Sequence, residues 1–172
     1  TVGQNGPEAM PGTLPPTSGY TYAVELSVDE AIAAGAKSVE FSQPVYLYVD
    51  NFLNFPVGEH VPVGYYDQDN SAWVASDSGR IISIQSINNG LAELDVDGDG
   101  VADDAATLAA MGVGVPEQQH LAQLYVAGKT LWRAPIPHFS AWDANWGIVP
   151  PADAKPPPGN DLTDKPRTED DV

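Results

Sequence analysis

Ten consecutive residues, Asp95-Val96-Asp97-Gly98-Asp99-Gly100-Val101-Ala102-Asp103-Asp104, carry five carboxylates. Acids at alternate positions can wrap one hard cation in oxygen ligands, and acids this close repel one another unless a cation intervenes. Counted along a twelve-residue calcium loop, Asp95, Asp97 and Asp99 take positions one, three and five. Gly100 supplies the sharp turn at position six, the Val101 carbonyl takes position seven and Asp103 position nine. Position twelve is Ala106 rather than an acid, and Asp104 is an oxygen donor in a different place. The spacing predicts calcium as the cofactor, held as a structural staple at the weak, extracellular end of the affinity range. The competing reading is a solvated acidic turn whose glycines serve backbone geometry alone.

A second segment, Pro135-Ile136-Pro137-His138-Phe139-Ser140-Ala141-Trp142-Asp143, places a hydroxyl directly after one peptide bond and an imidazole two residues before that hydroxyl. Ser140 can attack the Phe139 carbonyl, giving an ester by an N-to-O acyl shift that water then hydrolyses. A hydroxyl is a weak nucleophile, so His138 is the candidate base. The flanking prolines restrict the backbone and can help hold the bond in a strained shape. The bland alternative is a buried strand, with Phe139 and Trp142 in the core and His138 hydrogen-bonded there. Glu59 and His60 offer an assisting pair but read as a surface loop. His120 reads as exposed on a helix. Tyr65, Tyr66, Trp73, Trp132, Trp142 and Trp146 invite a carbohydrate-platform reading, although aromatics of a sandwich usually fill its core.

Short alternating segments must position these residues. Tyr20–Leu26, Ser38–Phe41, Val45–Val49, Gly64–Tyr66, Ala72–Val74, Arg80–Ile84, Leu91–Leu94 and Thr130–Arg133 read as strands, the last continuing towards Trp142. Pro44 separates the second from the third. Asp67–Asn70, Asp77–Gly79 and Asn88-Asn89-Gly90 read as turns. Val28–Ala36 reads as a short helix, and Asp104–Met111 and Pro116–Val126 as a helical pair. The expected fold is mostly β: an antiparallel β-sandwich with a small helical insertion after the calcium loop. Proline and glycine crowd residues 1–19, and proline with charged residues fills 153–172. Both read as disordered linkers around a module spanning 20–152.

The acidic loop resembles an EF-hand or dockerin loop. His138-Phe139-Ser140 resembles the self-cleaving His-Phe-Ser sites of death-domain and inflammasome relatives of the ankyrin/netrin-receptor β-sandwich, and of the nucleoporin self-cleaving domain. That resemblance implies His138 as base, Ser140 as nucleophile and cleavage at Phe139–Ser140. A longer likeness is to a bacterial module found beside YD-repeat (Rhs-type) sequences in large secreted or surface proteins. It is carried by Tyr48–Gly58, Gly64-Tyr65-Tyr66-Asp67, Asp95–Gly100, Leu131–Ser140 and Trp142-Asp143. In that family Thr-Pro often follows His-Phe, where this chain has Ser140-Ala141; either hydroxyl can attack. The resemblance implies an extracellular or cell-surface location, and neighbouring domains of the same large protein as partners.

Composition narrows the classes. Formal charge is −17, from 24 acidic against 7 basic residues. That argues against nucleic acid and anionic membrane surfaces and suits cation binding. There is no cysteine, which removes disulfides, thiolate metal sites and cysteine nucleophiles. No stretch is long and apolar enough for a transmembrane helix. The sequence reads as a monomeric module: self-processing at Phe139–Ser140, or non-catalytic, calcium-stabilised and structural or adhesive.

Overall fold

A computed structural model describes residues 10–14, 18–36 and 39–146. In chain order the elements are β1 (Ala23–Glu25), α1 (Asp29–Ala33), β2 (Val39–Asp50), β3 (His60–Val61), β4 (Gly64–Asp67), β5 (Ala72–Ala75), β6 (Gly79–Asn88) and β7 (Leu91–Asp95). Then follow α2 (Ala105–Ala110), α3 (Val115–Leu124), β8 (Thr130–Phe139) and β9 (Ala141–Asp143). One sheet runs β1-β9-β4-β5. The other runs β2-β8-β6, with β3 and β7 both paired to β6. Every described pairing is antiparallel. This is the expected β-sandwich, and the helical pair adds a third layer.

The middle sheet is covered on both faces. Towards the other sheet it buries Val61, Ile81, Trp132, Ala134 and Ile136 against Val63, Trp142 and Ala144. Towards α2 and α3 it buries Ile82, Ile84, Ala92, Leu94 and Leu131 against Leu108, Val113 and Leu121. Strand alternation produces this division: Ile81 and Trp132 point one way, Ile82 and Leu131 the other. The unbroken apolar run Ile81-Ile82 is therefore a double-sided strand, whereas half-covered strands alternate. Fully burying each such side chain contributes about 1.5–3 kcal/mol.

Polar groups on the helix-facing side are satisfied in one cluster. The Arg133 side chain is only 3% exposed. Its Nε donates to Glu117 Oε1 at 2.6 Å and to the Tyr48 hydroxyl at 3.2 Å. Its Nη1 donates to the Met111 carbonyl at 3.1 Å, and its Nη2 to Glu117 Oε2 at 3.0 Å. The guanidinium carbon sits 3.3 Å from the Tyr46 ring centroid. The Tyr48 hydroxyl donates to Glu117. Burial, then the neighbouring Glu117 carboxylate, hold that phenol protonated far above its ordinary range. The cluster ties α3 to β8 and β2.

Several expected boundaries move. β2 continues through Pro44 as one strand; the break appears as a register shift between Glu40 and Val45. Residues 60–61, expected in a loop, form β3. The N-terminal stretch read as linker contributes contacts: the Trp73 indole N–H donates to the Gly12 carbonyl at 3.1 Å, and Gly19 N–H to Trp146 O at 3.1 Å. Residues 1–9, 15–17 and 153–172, the rest of the proposed linkers, lie outside the described residues.

Arg133→Ala should lower the unfolding free energy by about 3–5 kcal/mol, because it strands the Glu117 carboxylate and the Tyr48 hydroxyl without their cation. Arg133→Lys should recover only part of this, lacking the planar fork. Denaturant titration checks both; a loss for Arg133→Ala no larger than a surface substitution contradicts the assignment.

Candidate functional site

The acidic loop leaves the end of β7. Leu94 and Val96 are buried and pull the backbone inward on either side of Asp95, itself 1% exposed. Main-chain donors surround the Asp95 carboxylate: Gly98 N–H reaches Oδ1 at 2.7 Å and Gly100 N–H reaches Oδ2 at 2.9 Å. Gln85 Nε2 adds a bond to Oδ2 at 3.2 Å. Gln85 is available because β6 bulges there, between Ile84 and Ser86 in the register with β7. Asp97 Oδ1 accepts from Asp99 N–H at 3.1 Å, and Asp99 Oδ1 from Val101 N–H at 2.8 Å. These bonds coil the loop, and φ values of 88° at Gly98 and 83° at Gly100 accommodate the coil.

One carboxylate oxygen each of Asp95, Asp97 and Asp99 lies within 4.8 Å of the others. Such a group can bind a metal ion. Asp95 is buried while Asp97 and Asp99 are exposed, so the cluster opens to solvent.

Asp103 and Asp104 have structural partners too. Asp103 Oδ2 accepts from Val96 N–H at 2.7 Å, and Asp103 N–H donates to Leu94 O at 2.7 Å. Asp103 thus clasps the base of the loop. Asp104 caps α2, accepting from Thr107 N–H at 2.8 Å. That backbone bond holds its carboxyl below the usual range. Val101 and Ala106 are exposed.

The loop is buttressed by a contact the sequence alone does not announce. A Cβ on Gly58 would collide with the Asp97 carbonyl, and a Cβ on Gly98 with the Val57 carbonyl. The connection from β2 to β3 therefore lies backbone against backbone on the acidic loop. Gly58 N–H donates to Ile81 O at 2.9 Å, and Arg80 Nη1 donates to Gly58 O at 2.5 Å. The only sequence trace is the pair of glycines.

His138, Phe139 and Ser140 lie where the chain changes sheets. β8 ends at Phe139 in the middle sheet, Ser140 bends, and β9 begins at Ala141 in the other sheet. Leu26 N–H holds the Ser140 carbonyl at 2.9 Å. The Ser140 hydroxyl has its contact with Ala141 O at 3.4 Å. The His138 ring packs edge-on against Tyr65 at 4.6 Å and beside Trp142 at 4.8 Å between centroids. Among the described residues no hydrogen bond joins His138 to Ser140. Phe139 packs edge-on against Phe41 at 4.9 Å. Positive φ among described non-glycine residues falls at Asn54, Ser71 and Asn89, away from this bend.

His60 pairs with Arg80 in β3, with β6 between it and β8. Trp132 and Trp142 are 1% exposed, as core aromatics rather than a sugar platform. Trp146 stacks on Phe55 at 4.4 Å. No helix among the described residues is long and apolar enough to cross a membrane.

Asp143, beside the bend, is half-buried in β9. Burial pushes its carboxyl up, against the pull of Asn145 Nδ2 at 2.9 Å and of the Gly64 N–H. A raised carboxyl binds its proton more tightly in the folded state, so its contribution to stability falls as pH rises through the folded value. Asp143→Asn should therefore be more stable than the parent at pH 7, with the gap closing below about pH 4. Thermal melts across pH check this; a gap that does not change with pH contradicts it.

Comparison with known proteins adds no relative: no family model, no curated protein and no solved structure matches this chain.

Proposed function

We propose that the chain is a calcium-stabilised structural or adhesion module of a larger secreted or surface protein, with neighbouring domains of that protein as its partners. The observation that carries this reading is the convergence of Asp95, Asp97 and Asp99 within 4.8 Å at the end of β7. The donor set is all oxygen and anionic, which suits a hard cation. A coiled loop hinged on two glycines fits calcium's irregular shell better than magnesium's strict octahedron. Asp97 and Asp99 face solvent, so water can complete the shell. The missing acid at Ala106 favours weak binding, with Kd of about 10⁻⁴–10⁻³ M. The acidic composition and the Rhs-type resemblance favour an extracellular setting.

An ion bound only by the folded state stabilises it by mass action, by about 1.4 kcal/mol at ten times Kd. The melting temperature should rise in millimolar calcium and fall again with chelator. Asp97→Ala with Asp99→Ala should keep the fold and lose the response. Calorimetry that finds no calcium binding at millimolar concentrations removes the reading.

A second reading, favoured by the position of the Phe139–Ser140 bond at the sheet-changing bend, is intramolecular self-cleavage. Ser140 Oγ would add to the Phe139 carbonyl, the C–N bond would break with protonation of the Ser140 amine, and water would hydrolyse the ester. His138, as base, would first have to leave its packing on Tyr65 and Trp142. This reading expects folded protein to split at neutral pH over days, and Ser140→Ala to stay whole. An unchanged intact mass leaves the structural module standing alone.

A further inference from the structure

β2 ends its sheet, and its outer side is open among the described residues. Asn51 N–H donates to Thr130 O at 3.1 Å, which sets the phase of the ladder. Val45, Leu47 and Val49 turn their main-chain groups to β8; Tyr46, Tyr48 and Asp50 turn theirs outward. Register is continuous from Val45 to Asp50. Upstream, Pro44 and the register shift blunt the edge, so the open stretch has a defined length.

Beside this edge lies an open groove of about 410 Å³, lined by Tyr46, Tyr48, Glu117, His120, Leu121 and Leu124. Leu124 is 73% exposed. Arg133 and Glu117 hold the two tyrosines, so this wall is ordered before anything binds.

We propose that the edge and groove bind an extended, basic segment of another polypeptide as an added β-strand. Such a strand satisfies the outward N–H and C=O groups of Tyr46 and Tyr48 and the Asp50 N–H, the Asp50 carbonyl being taken by Phe52 N–H at 2.8 Å, and alternate side chains enter the groove. Charge selects the occupant. Asp50 is paired with Lys129 at 2.9 Å and Glu117 with Arg133 at 2.6 Å, so among the described residues Glu40 is the charge along this face without an ion pair, on a chain of net charge −17. A second copy carries the same net charge, whereas a strand carrying Lys or Arg meets the opposite sign. The inference does not depend on the metal loop.

The test is selection of a displayed library of random ten-residue peptides against the full chain at low salt. Enriched sequences should alternate apolar and polar residues, with Lys or Arg among the polar ones. The synthesised winner should slow hydrogen exchange at the Tyr46, Tyr48 and Asp50 amides. Methylating its alternate backbone nitrogens should weaken binding at least tenfold, and Leu124→Ser at least fivefold without changing the melting temperature. No enrichment, enrichment of acidic peptides, or protection elsewhere overturns the proposal. So does protection of these amides that grows with protein concentration without peptide, which assigns the edge to a second copy.

Discussion

Burial of β6 and β8 on both faces is the constraint from which the other features follow. A strand covered on one side can alternate apolar and polar residues; these two cannot. Ile81 and Trp132 fill the space between the sheets, while Ile82, Ile84 and Leu131 meet the helices. The helical pair after the acidic loop is thus the lid of a second core. The loop that leads into it must leave β7 at a fixed place and angle, set by Leu94, Val96 and the Asp103 clasp. Arg133 is the polar counterpart of the same constraint. A cation on a doubly covered strand needs a counter-charge, and the partly buried Glu117 of α3 supplies it with two bonds.

Much of this layout was legible in the residues. The turn at Asn89-Gly90, the alternation of the short strands and the two helices after the acidic loop all appear where local chemistry places them. The acids at alternate positions identified the loop, and Asp95, Asp97 and Asp99 do converge. What was not legible depends on contacts distant in sequence. β3 is two residues long and exists because Val61 packs under Ile81 and Trp132. Pro44 sits on an edge strand, where the missing N–H costs no ladder bond, so it does not end β2. The apposition of Gly58 and Gly98 involves only backbone and leaves no pattern of side chains to read. Spacing also does not reveal that Asp103 and Asp104 accept backbone N–H groups, from Val96 and Thr107.

The same lesson applies at Ser140. In sequence, His138 and Ser140 stand two residues apart and suggest a base beside a nucleophile. In the fold, the chain turns from one sheet into the other between them, and the imidazole lies among aromatic rings. Spacing along the chain does not set a hydrogen bond between imidazole and hydroxyl, and none joins them among the described residues. The bend still places the Phe139–Ser140 bond at a junction that two sheets hold from opposite sides.

The cluster of Asp95, Asp97 and Asp99 is proposed to hold one cation, and Gly58 and Gly98 join its loop to the β2–β3 connection. A calcium titration followed residue by residue through backbone amide resonances tests it most directly. The account predicts saturable, one-to-one shifts concentrated at 95–101, with a coupled shift at Gly58. Shifts that scatter over the acidic surface without saturating, or leave 95–101 unmoved, would contradict it.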